Sequence, residues 1–386
     1  VQHMRIKRIN VFKLDIALKE PFTIAFKTYT HAHNCLVILE TNEGIKGYGE
    51  SSPDKLITGD SQEEALAFMK IAAEHLQGRA LDIEEVHKTL SQLEDKTGLR
   101  SQTGKAAIDM ACYDALGRAE GKPVYEILGA SMPARIPTTL TIGIKTLDDT
   151  IATVRDYMTR FGERGLRRIK LKLSGKPEDD LERVLKVAEI FPGELTLDAN
   201  QGYKDPEQAV KTFNKMFEVV GRRLLLVEQP TPREDLDSLK IIASKSPIPV
   251  FADESARTLD DIIRIIEMGA AHGINIKLQK IGGIYYGIKA ARMAYEAGIK
   301  LMVGCNEETH IAISAAIHYA SAMPSVINVD LDSDLLLFDM NITREDPLET
   351  FVLGMRIPRM KPGLGVELAD WFKAFANEKI VLQKII

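Results

Sequence analysis

RRIKLKL, Arg167–Leu173, alternates basic and apolar residues with period two and reads as a short β-strand. Ile169, Leu171 and Leu173 face one way; Arg168, Lys170 and Lys172 face the other. Helical patterns flank the stretch, so helices cover one face and the other is enclosed. Lysines on an enclosed face need partners, because an unpaired buried charge is very costly. Short apolar strands of this kind recur downstream of Ile136: TTLTIGI, RIKLKL, ELTLDAN, RLLLVEQP, IPVFADES, GINIKLQK, IKLMVGC and SVINVDL. They are separated by helical stretches, and β/α alternation implies a parallel sheet. Eight such units favour a closed (β/α)₈ barrel over an open doubly wound sheet. No GxGxxG follows a strand, which argues against a dinucleotide fold.

Before the barrel the pattern differs. Met4 to about Glu50 is strand-like, with the turn NEG between two runs, and Ser61 to Leu128 is helical, as in EEALAFMKIAAEHL and GKAAIDMACYDALGRAEG. The expected fold class is therefore α/β: a TIM-like (β/α)8 barrel over residues 131–350, capped by an α+β domain over residues 4–130. Residues 351–386, irregular in MRIPRMKPGLGVEL, are expected to pack back on the capping domain. The chain is 45% hydrophobic and 27% charged with a net charge of −5, and acids and bases are mixed along it, so neither nucleic acid nor a membrane is an expected partner. Cys35, Cys112 and Cys305 are odd in number and form no metal pattern, which points to a reducing, cytoplasmic setting. No signal peptide is read at the N-terminus, where VQHM is taken as a cloning remnant ahead of Met4.

Barrel active sites lie at the C-terminal strand ends. Those ends carry Lys170 and Lys172 (strand two), Asp198 and Asn200 (three), Glu228 (four), Asp253 (five), Lys280 (six), Cys305 (seven), and Asp330 and Asp332 (eight). A single Asp there is commonly a helix N-cap. Acids on three successive strands between lysines are a different matter: converging carboxylates repel and need a cation. Three oxygen ligands suit Mg²⁺, and no Cys/His cluster or HExxH motif points to zinc.

KLK, LDAN, VEQP, ADES and NIKLQKIGG, in this order on five consecutive strands, closely resemble the enolase superfamily, in particular its muconate lactonizing enzyme-like subgroup. The resemblance spans nearly the whole chain. It implies that Asp198, Glu228 and Asp253 bind one Mg²⁺ and that Lys172 and Lys280 are an acid/base pair. Strand parity places Lys280 with Ile276 and Leu278, so it reaches the site only if the chain has turned after the strand. Lys277, which shares parity with Asn275, is the internal competitor, read as a buried charge behind the acids, and Asn200 is read as a neutral residue supporting them. The implied chemistry is removal of a proton next to a carboxylate, with Mg²⁺ stabilising the enediolate. The base has to be a neutral lysine, a form favoured by a nearby cation and partial burial. Lys170 is expected to contact the substrate carboxylate.

Two lysines flanking one carbon allow epimerisation, but the same apparatus serves elimination and cycloisomerisation. VDLDSD resembles the DxD motif with which dipeptide epimerases hold the substrate's α-ammonium, here Asp330 and Asp332, and Thr141 matches a threonine that positions the dipeptide. A dipeptide inverted at its C-terminal α-carbon is the implied small-molecule substrate, and a homo-oligomer the expected assembly. An o-succinylbenzoate synthase-like lyase is the alternative, and a non-catalytic metal-stabilised scaffold the alternative from another class. Specificity is expected from the first capping loop (Phe22, Ile24, Phe26, Lys27, Tyr29), the second (Ile57, Thr58) and the strand-seven loop (Cys305, Asn306, Glu307). Glu307 would repel a glutamate side chain and attract a cationic one, which favours hydrophobic or basic dipeptides over Ala-Glu. Glu308 is read as the acid that follows this loop in the family, and His310 as facing solvent or the helix start.

Overall fold

The computed structural model describes residues 3–373 and 384–385. The chain opens with a meander of β1 (Ile6–Ile24), β2 (Lys27–Thr41) and β3 (Lys46–Ser51), followed by α1 (Gln62–Leu76), α2 (Ile83–Thr97), α3 (Gln102–Glu120) and the single turn α4 (Val124–Ile127). Each long helix starts where a side chain satisfies a free backbone N–H: Ser61 accepts from Glu64, Asp82 from Glu85 and Ser101 from Gly104. Left-handed Gly98 and Gly121 end α2 and α3. Helix α2 lies in a stretch not singled out from the sequence.

Helix α3 is buried on nearly every side, and its face of Ala107, Ala111 and Ala115 lies on β3. Gly47 and Gly49 make the approach possible. A Cβ on Gly49 would sit 1.8 Å from the Ala107 carbonyl oxygen, and one on Gly47 2.0 Å from that of Ala111. The antiparallel capping sheet has the order β15-β1-β2-β3, where β15 (Lys384–Ile385) pairs with Val11 and Phe12 of β1.

A short β4 (Ile136–Pro137) leads into the barrel strands β5 (Thr139–Ile142), β6 (Arg168–Lys172), β7 (Glu194–Asp198), β8 (Leu224–Glu228), β9 (Val250–Ala252), β10 (Gly273–Ile276), β11 (Lys300–Val303) and β12 (Val326–Val329). Helices α5 (Leu147–Phe161), α6 (Pro177–Ile190), α7 (Pro206–Val220), α8 (Leu236–Lys245), α9 (Leu259–Met268), α11 (Ile284–Glu296) and α12 (His310–Ala322) alternate with them. One-turn helices α10 (Leu278–Ile281) and α13 (Ser333–Leu336) follow β10 and β12. Neighbouring strands are parallel from β5 to β12, and a bridge between Thr138 and Val329 closes the ring. This is the expected (β/α)8 barrel with its α+β cap. No described helix is long and apolar enough to cross a membrane.

The tail is more ordered than its sequence suggests. Strands β13 (Phe351–Val352) and β14 (Met355–Arg356) form a hairpin that pairs with β4. Further on, Asp114 of α3 accepts the Leu364 N–H at 2.8 Å, and Glu367 pairs with Arg118 and accepts from the Tyr48 hydroxyl.

Because Gly49 has no room for a methyl group, Gly49→Ala is expected to lower stability by about 1–3 kcal/mol through overpacking against α3. Urea unfolding of the variant beside the parent checks this; an unchanged midpoint would mean that α3 moves away at no cost.

Candidate active site

Register builds the site. In parallel pairing Lys172 lies beside Asp198, and Asp198 beside Glu228, so one row of inward-facing residues carries a lysine and two acids. The row beneath it holds Thr141, Lys170 and Thr196. Asp253 follows β9 directly. Oxygens of Asp198, Glu228 and Asp253 all lie within 4.8 Å of one another, and all three residues are buried. Strands β6 and β10 are four places apart in a ring of eight, so side chains from their ends face each other across the mouth. The three acids occupy one arc between them; β11, β12 and β5 form the other.

Lys170 is fully buried. Its Nζ lies 2.6 Å from Asp330 Oδ2, 2.7 Å from Glu228 Oε2 and 3.1 Å from Asp198 Oδ2. Burial works against its charge, but the Asp330, Glu228 and Asp198 carboxylates outweigh that and hold it well above the usual lysine range. Lys172 Nζ donates to the same Asp198 Oδ2 at 2.7 Å. Burial would raise the Asp198 carboxyl, yet the two lysines keep it below its ordinary value.

The two candidates after β10 separate clearly. Lys280 is fully buried, and its Nζ donates to Asp253 Oδ1 (2.7 Å), the Asp253 carbonyl (2.8 Å) and the Asn275 carbonyl (2.8 Å). All three donors are spent inside the protein, behind the acids. The chain has turned into α10 as the sequence required, but the turn carries Lys280 away from the cleft. Lys277 lines the cleft together with Lys172, 3.1 Å from Asp253 Oδ2. Burial would weaken its charge, but Asp253 outweighs that and holds it above the ordinary lysine value.

The cleft, ≈ 930 Å³ and open to solvent, reaches from these lysines to the opposite arc. There Asp330 accepts from the hydroxyls of Thr139 and Thr141, both at 3.1 Å, and Asp332 Oδ2 accepts the Thr141 N–H at 2.6 Å. Burial, then the neighbouring Asp330, raise the Asp332 carboxyl. Cys305 Sγ lies 3.9 Å from Asp332 Oδ1. Asn306 and Glu307 also line the cleft, as do Phe22, Ile24, Tyr29 and Ile57 from the cap. Glu307 forms no salt bridge among the described residues; burial, then Asp54, push its carboxyl up to about 7.

Phe26 and Lys27 do not line this cleft. The hairpin between β1 and β2 turns at Ala25 and Phe26, carrying Phe26 to an adjoining outer cleft. Lys27 is exposed, stacked 4.4 Å over the Tyr29 ring and 3.9 Å from Asp54 Oδ2. His310 stands at the helix start, one of its two expected places, but is buried rather than facing solvent: it opens α12 with Nδ1 2.7 Å from Asp334 Oδ2, whose carboxylate Arg356 grips through Nη1 and Nη2. Thr58 caps its own loop through Asp54 and Asp60.

Several supporting residues escaped the sequence. Gln229, inside VEQP, accepts the N–H groups of Asp253 and Ser255 (3.0 and 3.1 Å), at a strained positive φ of 36°. Glu254, inside ADES, is fully buried and accepts from Asn200 Nδ2 at 2.8 Å. Glu50 of the cap accepts both the N–H and the hydroxyl of Thr309, joining cap to barrel. Adjacency to the quoted motifs was the only signal for the first two; nothing local marked the third.

The barrel, the cap and the acids on three successive strands together match known proteins. Residues 153–371 fit the enolase C-terminal domain-like family, and residues 7–129 the mandelate racemase/muconate lactonizing enzyme N-terminal domain. The chain belongs to the enolase superfamily. A hydrophobic dipeptide epimerase of Enterococcus faecalis is 35% identical over 350 residues, 90% of this chain and 95% of the relative. The structure of the dipeptide epimerase of that organism with Mg and L-Leu-L-Tyr superposes with a TM-score of 0.84 at 32% identity, covering 94% of this chain and 99% of the other. An N-succinyl-L-Arg/Lys racemase of Bacillus cereus is 30% identical over 371 residues, 95% and 96% of the two chains. The dipeptide epimerase of Methylococcus capsulatus with Mg and L-Arg-D-Lys gives a TM-score of 0.81 at 31% identity, covering 94% and 99%. The chain is thus related to curated epimerases and racemases over most of its length, and it is an isomerase.

In this superfamily member the acidic triad suits a divalent cation. Glu228 Oε2 and Asp253 Oδ2 are buried and receive no well-directed hydrogen bond, only the ammonium groups of Lys170 and Lys277 at 2.7 and 3.1 Å. Hard carboxylate oxygens on converging strand ends are the donors that Mg²⁺ takes. Mg²⁺ at about 100 times its dissociation constant should therefore stabilise the fold by about 2.7 kcal/mol, read as a rise in thermal midpoint. Asp253→Asn should abolish the rise, and a rise that persists in that variant would place the ion elsewhere.

Proposed function

We propose that the protein is a Mg²⁺-dependent dipeptide epimerase that inverts the C-terminal α-carbon of hydrophobic or cationic dipeptides. One observation carries this reading: Lys172 and Lys277 face one cleft from opposite sides of the barrel, with three acids that could hold a metal ion on one arc and Asp330 and Asp332 on the other. In this proposal Asp198, Glu228 and Asp253 hold one Mg²⁺ per chain, and Lys277 takes the acid/base role that sequence motifs had given to Lys280. When bound, the ion supplies positive charge where the substrate carboxylate gains negative charge. Whichever lysine is neutral removes the α-proton, breaking the C–H bond; the other, as an ammonium, delivers a proton to the opposite face. Starting from the other epimer, the roles reverse.

Asp330, Asp332 and Thr141 hold the α-ammonium at the far end. An N-acylated substrate would leave Asp332 without a cation, Asp330 being paired with Lys170, which disfavours it against a free dipeptide. Lys170, tied into three carboxylates, acts here through Asp198 and Asp330 rather than on the substrate. Asn200 and Glu254 support the acids. Phe22, Ile57 and Cys305 supply apolar contact, and Asn306 shapes the strand-seven loop by donating to the Ser52 carbonyl at 2.9 Å. Relatives named for hydrophobic and for basic dipeptides support both side-chain classes. The working division is a cap over residues 4–130, a barrel over 131–350 and a tail over 351–386. Three free cysteines fit a reducing cytoplasm.

Mass spectrometry of a dipeptide library incubated with enzyme and Mg²⁺ in D₂O tests the reading. Inversion with one deuterium gained at the C-terminal α-carbon is expected. Lys172→Ala and Lys277→Ala should each cut epimerisation by at least about 10²-fold while keeping exchange from one epimer. Turnover that survives in Lys277→Ala, or a library that stays silent, would falsify it.

Glu307 adds a pH test. Its carboxyl, raised to about 7 by burial and Asp54, is charged above that pH. Preference for a cationic over an isosteric apolar side chain, taken as a ratio of kcat/KM, should rise as pH increases through about 7. The gain should approach about tenfold, one charge-assisted contact, and vanish in Glu307→Gln. A flat ratio in the parent enzyme removes Glu307 from substrate selection.

A further inference from the structure

The two proposed acid/base lysines are held by different parts of the molecule. Lys172 is the last residue of β6, laddered to β5 and β7, and its carbonyl accepts from Arg183 Nη1 at 2.8 Å. Arg183 also reaches the Gly143 carbonyl, so every one of these partners belongs to the barrel. Lys277 lies one residue beyond β10, outside the ladder, at the start of the single turn α10. In that turn the Lys277 carbonyl accepts from Lys280 and Ile281 at 3.0 and 3.1 Å, and the Leu278 carbonyl from Gly282 and Gly283 at 3.1 and 3.0 Å. One turn of helix is not stable alone.

From within the turn Lys280 donates to Asp253 and Asn275 of the barrel, and further support comes from the cap. Gln279, fully buried and two residues past Lys277, accepts the Ser52 N–H at 3.0 Å and donates to the Glu50 carbonyl at 3.0 Å. β3 is the edge of the capping sheet, and the groups of Glu50 and Ser52 on that side have no further strand to meet. The Gln279 amide takes the place of one. Its nitrogen also lies 3.3 Å from Glu308 Oε1. Gln102 Nε2 of α3 donates to the Lys280 carbonyl at 3.0 Å, and Asp109 of α3 accepts the N–H groups of Ile284 and Tyr285 at 2.6 and 3.1 Å just beyond.

We propose that Gln279 is a positioning residue that hangs the Lys277 turn on the edge of the capping sheet, so that the cap shares in setting one acid/base group while barrel residues set the other. The proposal rests on the epimerase reading and on Lys277 as one of its bases. It makes an asymmetric claim. The overall equilibrium ties forward and reverse epimerisation together, whereas loss of the α-hydrogen from each epimer reports separately on the lysine that removes it.

The experiment measures α-hydrogen wash-out in D₂O from both epimers of one responding dipeptide, with Mg²⁺-loaded enzyme. Lys172→Ala and Lys277→Ala first assign which epimer each lysine serves. In Gln279→Leu, wash-out from the Lys277 epimer should slow about tenfold or more, as misplacement of a reacting group by a fraction of an ångström does, and the other should change by less than about twofold. Gln102→Ala, a milder change on the same turn, should show the same asymmetry at smaller size and carries the comparison if Gln279→Leu does not fold. Equal slowing of both epimers would mean a merely structural role and overturns the proposal, as would no change in either. A parent enzyme that exchanges both epimers while the variants lose them equally leaves the epimerase reading standing; one silent toward every dipeptide takes both down.

Discussion

The Lys170 ammonium is the interaction on which the barrel mouth depends. It sits fully buried between carboxylates from β7, β8 and the end of β12, and so joins the arc of the acidic triad to the arc that carries Asp330 and Asp332. Without it, Asp198, Glu228 and Asp330 would be buried together with far less compensating charge, and removing one partner of a buried pair typically costs about 3–5 kcal/mol. Lys172, Lys277 and Lys280 complete the balance around Asp198 and Asp253. The acids are thereby held close enough to share one divalent ion.

That arrangement divides four lysines by access. Lys170 and Lys280 have every donor committed to interior oxygens. Lys172 and Lys277 each touch one acid and open onto the cleft. A lysine can exchange protons with a substrate only where an N–H can point at it, so access rather than charge separates framework from chemistry.

The capping domain does more than cover the mouth. Glu50, buried at the junction, accepts from Thr309 and from the Ala312 N–H at 3.2 Å, meeting the free N–H groups that begin α12. Asn34 donates to the Glu307 carbonyl at 2.7 Å, so the strand-seven loop is moored to the cap. Small residues on α3 and the glycines of β3 bring sheet and helix close enough for these contacts. The strand-seven loop and the turn after β10 therefore share anchors on a domain that is not part of the barrel.

Period-two strands between helices, with acids at three successive strand ends, were legible without coordinates because each is local: alternation sets which face a side chain takes, and a strand end sets its height in the barrel. Lys170, Lys172, Asp198, Glu228, Asp253, Asp330 and Asp332 followed from that logic, and the structure brings them together. Where the chain leaves a strand, parity stops informing direction. Lys277 and Lys280 differ by three positions in a turn, and only the tertiary path sends one to the cleft and the other beneath the acids. The same holds for Phe26 and Lys27 at a hairpin tip, and for His310, whose burial depends on Asp334 of α13 and on Arg356 arriving from the tail. The sequence by itself determined the barrel, its cap and the charged strand ends, since these rest on periodicity and backbone pairing. The tertiary structure alone decided which lysines meet the cleft and which cap residues hold them there, because those contacts join segments far apart in the chain and depend on side chains finding partners across a domain boundary.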